Sequence, residues 1–263
     1  MIVNLEKNEW KYIIILFLVS FIVQVFVVFQ GGEEYELFTV IIGIMMFFPA
    51  IGAIITLIRT KQGLKYINWK LGKPIYALLG LTLPAIITIV AVLIFEATGL
   101  GTNKYFSLQG GEATITKELF ILGNEKQGIL FFLLNFILTG IVYSVITGLF
   151  TLGEEIGWRG YLQKKLLEKN STFKSLAFLG LIWGIWHLPL ILSGYNYPEY
   201  PILGGLLLFP LTTIFASFSK ILDAFDNRNN VIIAVFGNGL FLWEISNACK
   251  VEEWIVNYKH TVE

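Results

Sequence analysis

The chain has 263 residues and a formal net charge of +0, from 19 basic and 19 acidic side chains. Hydrophobic residues make up 56% of it and charged residues 14%, against roughly 45–50% and about 25% in a soluble domain. Such a composition excludes a water-soluble fold, a basic surface for nucleic acid and a disordered chain. Cys249 is the only cysteine, which excludes an intramolecular disulfide framework and a thiolate zinc cluster. The remaining class is an all-α polytopic transmembrane helix bundle.

A helix needs about 20 apolar residues to cross the hydrocarbon. In chain order the hydrophobic runs predict spans at Tyr12–Phe29, Leu37–Ile58, Ile75–Phe95, Gly128–Leu152, Phe173–Ser193, Ile202–Leu222 and Val231–Ala248. Lys7 and Lys11 ahead of the first would also suit a signal peptide. No small-residue cleavage site follows, so the first run reads as a retained span. The loops at about 59–74 and 96–127 are too short to be domains. A re-entrant segment or eighth span near Leu108–Leu122 would change the parity after it. The whole of 1–263 reads as one membrane domain, with the unusual polar residues gathered in 128–248.

Loop charge gives an orientation. With the N-terminus cytoplasmic, 14 of the 19 basic residues fall on the inner side, including Lys7, Arg59, Lys65, Lys164 and Lys165. The first outer loop has only acids, Glu33, Glu34 and Glu36. The expected location is a bacterial cytoplasmic membrane with the N-terminus inside. A site near Glu154 should open toward the cytoplasm, where Lys164, Lys165 and Lys169 face anionic lipid or an acidic substrate.

Ionisable groups at membrane depth are costly and mark function by default. The fourth span ends in Gly153-Glu154-Glu155-Ile156-Gly157-Trp158-Arg159, and helical spacing continues to Lys169. Glu155 and Arg159 can pair at i,i+4. Glu154 lies about 100° round the helix and needs another partner. The fifth span offers His187, with Trp183 and Trp186 before it and Pro189 after it. Pro189 leaves carbonyls one turn upstream without a donor. The seventh span adds Asn238, then Glu244. Taken singly, these residues admit plainer readings. Glu155–Arg159 can be an ordinary ion pair, His187 and Asn238 can be helix–helix glue, the tryptophans can form an interfacial belt, and Glu244 can face water. Together they point to a site.

These motifs resemble the CAAX protease and bacteriocin-processing (CPBP) family of intramembrane proteases. Its Glu-Glu-x-x-x-Arg motif matches Glu154, Glu155 and Arg159, and its Phe-x-x-x-His motif matches Trp183-x-x-x-His187 with an aromatic exchange. The third motif, His-x-x-x-Asn, departs: Asn238 stands at the histidine or at the asparagine position, and the second histidine is absent. The resemblance implies an endopeptidase in which Glu154 activates water and His187 orients it. Glu155 and Arg159 would support that pair, and Asn238 would donate to the oxyanion. Zinc, if present, would fall to Glu154 and His187. One membrane histidine is a thin set for a metal with three protein ligands, so the expectation is no cofactor. The implied partners are membrane lipid and a peptide or membrane-protein substrate, with no nucleic acid. The missing histidine supports a second reading, a scaffold or bacteriocin self-immunity protein that binds without cutting. A transporter with Glu154, His187 and Glu244 as a proton relay lacks the paired broken helices expected of that class.

Overall fold

The structure is a computed structural model, and it describes residues 3–67, 106–115, 121–122, 126–198 and 200–219. The predicted spans at Ile75–Phe95 and Val231–Ala248 lie outside the described residues, as do Asn238, Glu244, Cys249 and His260. The chain divides into two compact units, one of 1–76 with 149–235, the other of 77–148 with 236–263.

The first unit opens with α1 (Lys7–Phe29), followed by α2 (Phe38–Met45) and α3 (Phe48–Arg59). Pro49 stands in the first turn of α3, where its missing N–H costs nothing. Lys7–Phe29 and Phe38–Arg59 are long and apolar enough to cross a membrane, matching the first two predicted spans. Thr172–Trp186 and Pro201–Ile214 are shorter apolar stretches in the same unit. α1 is built inside out. It buries Tyr12, Leu16, Ser20, Gln24 and Val27, and exposes Ile14, Ile15, Leu18, Ile22 and Phe29. An exposed face of that kind is a lipid face, since soluble monomers avoid large apolar patches.

The helix α4 (Ile129–Glu155) ends on the two glutamates, where hydrogen bonding shifts to the i→i+5 pattern of a π-helix over Ile156–Gln163. α5 (Lys164–Lys169) completes the run. The predicted exit from the membrane at Leu152 therefore does not end the helix, as Trp158, Tyr161 and Leu162 stay buried beyond it. Close backbone approach explains the path. A Cβ on Gly153 would lie 2.6 Å from the Met46 carbonyl oxygen, and one on Gly157 2.6 Å from that of Pro49. A second small-residue pair joins α6 (Thr172–Trp186) to a later helix. A Cβ on Gly180 would meet Ile214 Cα at 2.5 Å, and one on Gly184 would meet Pro210 Cα at 2.8 Å. Small residues at i,i+4 let membrane helices touch where lipid supplies no hydrophobic drive. After α7 (Leu188–Leu192) come α8 (Pro201–Leu203), a π-turn at Gly204–Leu208 and α9 (Phe209–Ser219).

At one end of this unit three segments that parity assigns to the same side meet. Asn4 N–H donates to Asn170 Oδ1 (2.9 Å), and Asn170 Nδ2 donates back to the Asn4 carbonyl (3.1 Å). Lys169 pairs with Glu6. Lys164 Nζ donates to the Tyr66 carbonyl at 2.8 Å and sits over the Tyr66 ring.

The second unit corrects the expectation of a purely helical fold. Phe106–Gln109 (β1), Glu112–Ile115 (β2) and Lys126–Gly128 (β3) form an antiparallel sheet in that order. Gly110 and Gly111 have φ of 60° and 82°, and two positive φ values in a two-residue loop suit strand twist. The region near Leu108, read above as loop or re-entrant segment, is thus a hairpin as far as Ile115. Ala113 and Ile115 pack on Phe132 of α4, and Asn135 on the same helix takes the Leu122 N–H at 3.0 Å.

Candidate active site

Four of the five predicted residues lie in the first unit around Trp183. The indole Nε1–H of Trp183 donates to Glu154 Oε2 at 2.9 Å. The Arg159 guanidinium carbon stands 4.5 Å from the centre of the Trp183 ring. Arg159 Nη1 donates to Glu155 Oε1 at 2.8 Å, in the predicted i,i+4 pair. His187 Nδ1 lies 2.9 Å from the Trp183 carbonyl oxygen. Glu154, Glu155, Arg159 and Trp183 are all buried, with exposures of 2%, 0%, 3% and 3%. Trp183 and Trp186 are interior residues of this unit, so the interfacial-belt reading does not describe them.

The carbonyl contact fixes the imidazole. A carbonyl oxygen only accepts, so Nδ1 carries the hydrogen and the neutral ring presents Nε2 as an acceptor. The backbone break makes that carbonyl available. In an α-helix the His187 N–H would bond Trp183 O; here it bonds Gly184 O at 3.2 Å. The released Trp183 oxygen takes the ring hydrogen. Phe209 of α9 closes one side of the imidazole, with ring centres 4.9 Å apart, and Trp186 stands edge-on at 4.7 Å.

Sequence reasoning missed Gln24. This fully buried α1 side chain donates from Nε2 to the Trp186 carbonyl at 2.8 Å and accepts from the Leu190 N–H at 3.4 Å. The signal was present: Ser20 and Gln24 stand four apart in an otherwise apolar run, on one helix face.

Glu154 stands in the last turn of α4, within a helical run that continues to Lys169. Fifteen residues of continuous helix separate it from Lys169, a rise of about 20 Å at α-helical geometry. The Tyr195 hydroxyl is held above its ordinary value by burial first, then by the carboxylates of Glu33 and Glu154. The Tyr195 hydroxyl thus lies within electrostatic reach of the Glu154 carboxylate.

Among the described residues no three His, Cys, Asp or Glu side chains converge in a metal-binding group. Glu155 pairs with Arg159, Glu154 accepts from Trp183, and the His187 Nδ1 hydrogen meets a carbonyl, an arrangement that leaves Nε2 able to ligate.

Residues 125–242 match the family model described as type II CAAX prenyl endopeptidase Rce1-like. Over this segment the chain is similar to that family. The matched segment contains the glutamate pair, the arginine, Trp183 and His187. A Methanococcus maripaludis protein named CAAX prenyl protease 2 is 32% identical over 90 residues, covering 31% of this chain and 31% of that protein. The match thus spans less than a third of the relative's length. α1, which supplies Gln24, lies before the Rce1-like segment begins.

Proposed function

We propose that the chain is an intramembrane endopeptidase that hydrolyses a peptide bond with water activated by Glu154. The observation that carries this reading is Trp183, which bonds Glu154 through its indole and His187 through its carbonyl. One rigid residue thereby sets a carboxylate base and an imidazole acceptor relative to each other. Preset geometry of this kind lowers the entropic part of a barrier.

In the proposed reaction His187 Nε2 accepts one hydrogen of the water and Glu154 takes the other as a proton. The water oxygen bonds the carbonyl carbon, and the Asn238 amide donates to the oxyanion. As the oxyanion collapses the C–N bond breaks, and Glu154 gives its proton to the leaving amine. Glu154 is regenerated and one water is consumed. Arg159 holds Glu155 and presses on the Trp183 ring, so both act on the site's geometry. No metal or other cofactor enters this scheme. The protein lies in a bacterial cytoplasmic membrane with its N-terminus inside, contacts lipid, and takes a peptide or membrane-protein substrate. The bundle has about seven spans, or eight with one more crossing.

The test uses purified protein with a fluorescence-quenched peptide ending in a farnesylated Cys-aliphatic-aliphatic-X box, the substrate type in the relative's name. It is paired with a proteomic comparison of membranes containing wild type or Glu154→Ala. Glu154→Ala and His187→Ala should each lower turnover by roughly 10²–10⁴-fold, the range of general acid–base catalysis. A folded Glu154→Ala that leaves both peptide and proteome as in wild type would overturn the reading. That result would favour the binding-only scaffold, for which the absent second histidine speaks: the chain has 2 histidines, His187 and His260.

A further inference from the structure

Within the reading above, we infer that Gln24 is a positioning residue that fixes which His187 nitrogen faces the reaction. Pro189 interrupts the α6–α7 helix because it has no N–H to return to the preceding turn. Beside that gap a second bond is open: Trp186 O and Leu190 N–H would pair in an α-helix. Here both turn to Gln24, at 2.8 Å and 3.4 Å. The amide is spliced into the backbone bond, one group on each side of His187. The helix resumes with Ile191 N–H on His187 O at 3.1 Å.

This splice bears on the imidazole through Trp183 O. With the turn held open, His187 N–H reaches Gly184 O, and Trp183 O is left for the ring Nδ1–H. Without Gln24, Trp186 O and Leu190 N–H have only each other in this buried place. Closing that bond restores α-helical geometry, and His187 N–H then claims Trp183 O. The ring loses its acceptor and its tautomer is no longer fixed. A glutamine is suited to this because one planar group carries both a donor and an acceptor. The site is therefore completed by a helix outside the Rce1-like segment.

The experiment reads the ring itself. The chain has 2 histidines, so His260→Ala leaves His187 as the only one. Protein labelled with nitrogen-15 histidine, in detergent micelles, should show a protonated Nδ1 and a bare Nε2. Gln24→Met keeps length and volume but removes both hydrogen bonds. It should give a mixed or inverted tautomer. On the farnesylated peptide, kcat should fall about 10–100-fold, as for loss of a partner that orients a functional histidine, with KM within about twofold. Ser20→Ala, one turn earlier on α1, should change neither. If Gln24→Met does not fold, Gln24→Asn, one methylene too short to span the gap, carries the same test. A folded variant with the wild-type tautomer overturns the inference. The nitrogen signals do not depend on turnover, so a wild type that never cuts the peptide sinks the proposed activity and leaves this inference standing or falling on its own.

Discussion

Trp183 occupies the place where the resembled family carries phenylalanine, and its indole adds a second ring and an N–H. That hydrogen goes to Glu154. A hydrogen bond to a charged group contributes about 1.5–3 kcal/mol. Trp183→Phe should therefore fold, lower the thermal midpoint in detergent and lower turnover, because the carboxylate loses the donor that orients it. Unchanged turnover would mean that the indole bond is structural only. Arg159 is a different case. Removing one member of a buried pair strands the other, at about 3–5 kcal/mol. Arg159→Met should accordingly lose far more stability than Trp183→Phe, read by the same melting assay. The glutamates, Arg159 and His187 were legible from the sequence because each is expensive in lipid, and Trp183 because it stands at a recognisable spacing from His187. Gln24 was not, because a single amide in an apolar span belongs to no motif. Its role depends on a backbone gap created by Pro189, some 165 residues away in sequence.

At the scale of elements, the path of α4 through the π-segment is set by two glycines as much as by its own hydrogen bonds. Gly157→Ala would drive a Cβ against Pro49, with the Pro49 carbonyl oxygen 2.6 Å away. Overpacking of this kind costs about 1–3 kcal/mol, and the strain falls one turn from Glu154. Gly157→Ala should lower both melting temperature and turnover. Gly110→Ala in the hairpin, at φ 60° in open space, should strain its turn and leave turnover unchanged. The π-segment itself was invisible in the sequence. Its i→i+5 bonding has no compositional signature, and the apolar spacing through Tyr161, Leu162 and Leu166 reads equally well as α. The hairpin was legible in part. Gly110-Gly111 is a turn signal, but the strands beside it are only four residues long and were absorbed into a loop.

For the whole molecule, the clustering of Asn4, Glu6, Tyr66, Lys164 and Lys169 gives the charge-based topology a physical end to work with. On a Cys249→Ser background, Glu34→Cys should react with an impermeant maleimide in intact cells. Gln62→Cys should react only after permeabilisation. The reverse pattern would invert the orientation. The Glu6–Lys169 pair adds a pH signature. Hydrogen bonding to Lys169, and then its charge, hold the Glu6 carboxyl below its ordinary value. The contribution is thus fully present above that value and is lost as pH falls through the lowered one. It is small, because both groups face solvent. Lys169→Met should remove this acid-side dependence from the melting curve without affecting turnover.

The splice at Gln24 also has a consequence for the order of events during synthesis. α1 is made first and its amide partners, Trp186 and Leu190, are made 162 and 166 residues later. Through that interval the membrane holds a helix whose buried amide, Gln24, has not met the backbone that completes it. The arrival of the broken helix is what ends that exposure, so the step that seals the first span is the same step that sets the backbone around His187.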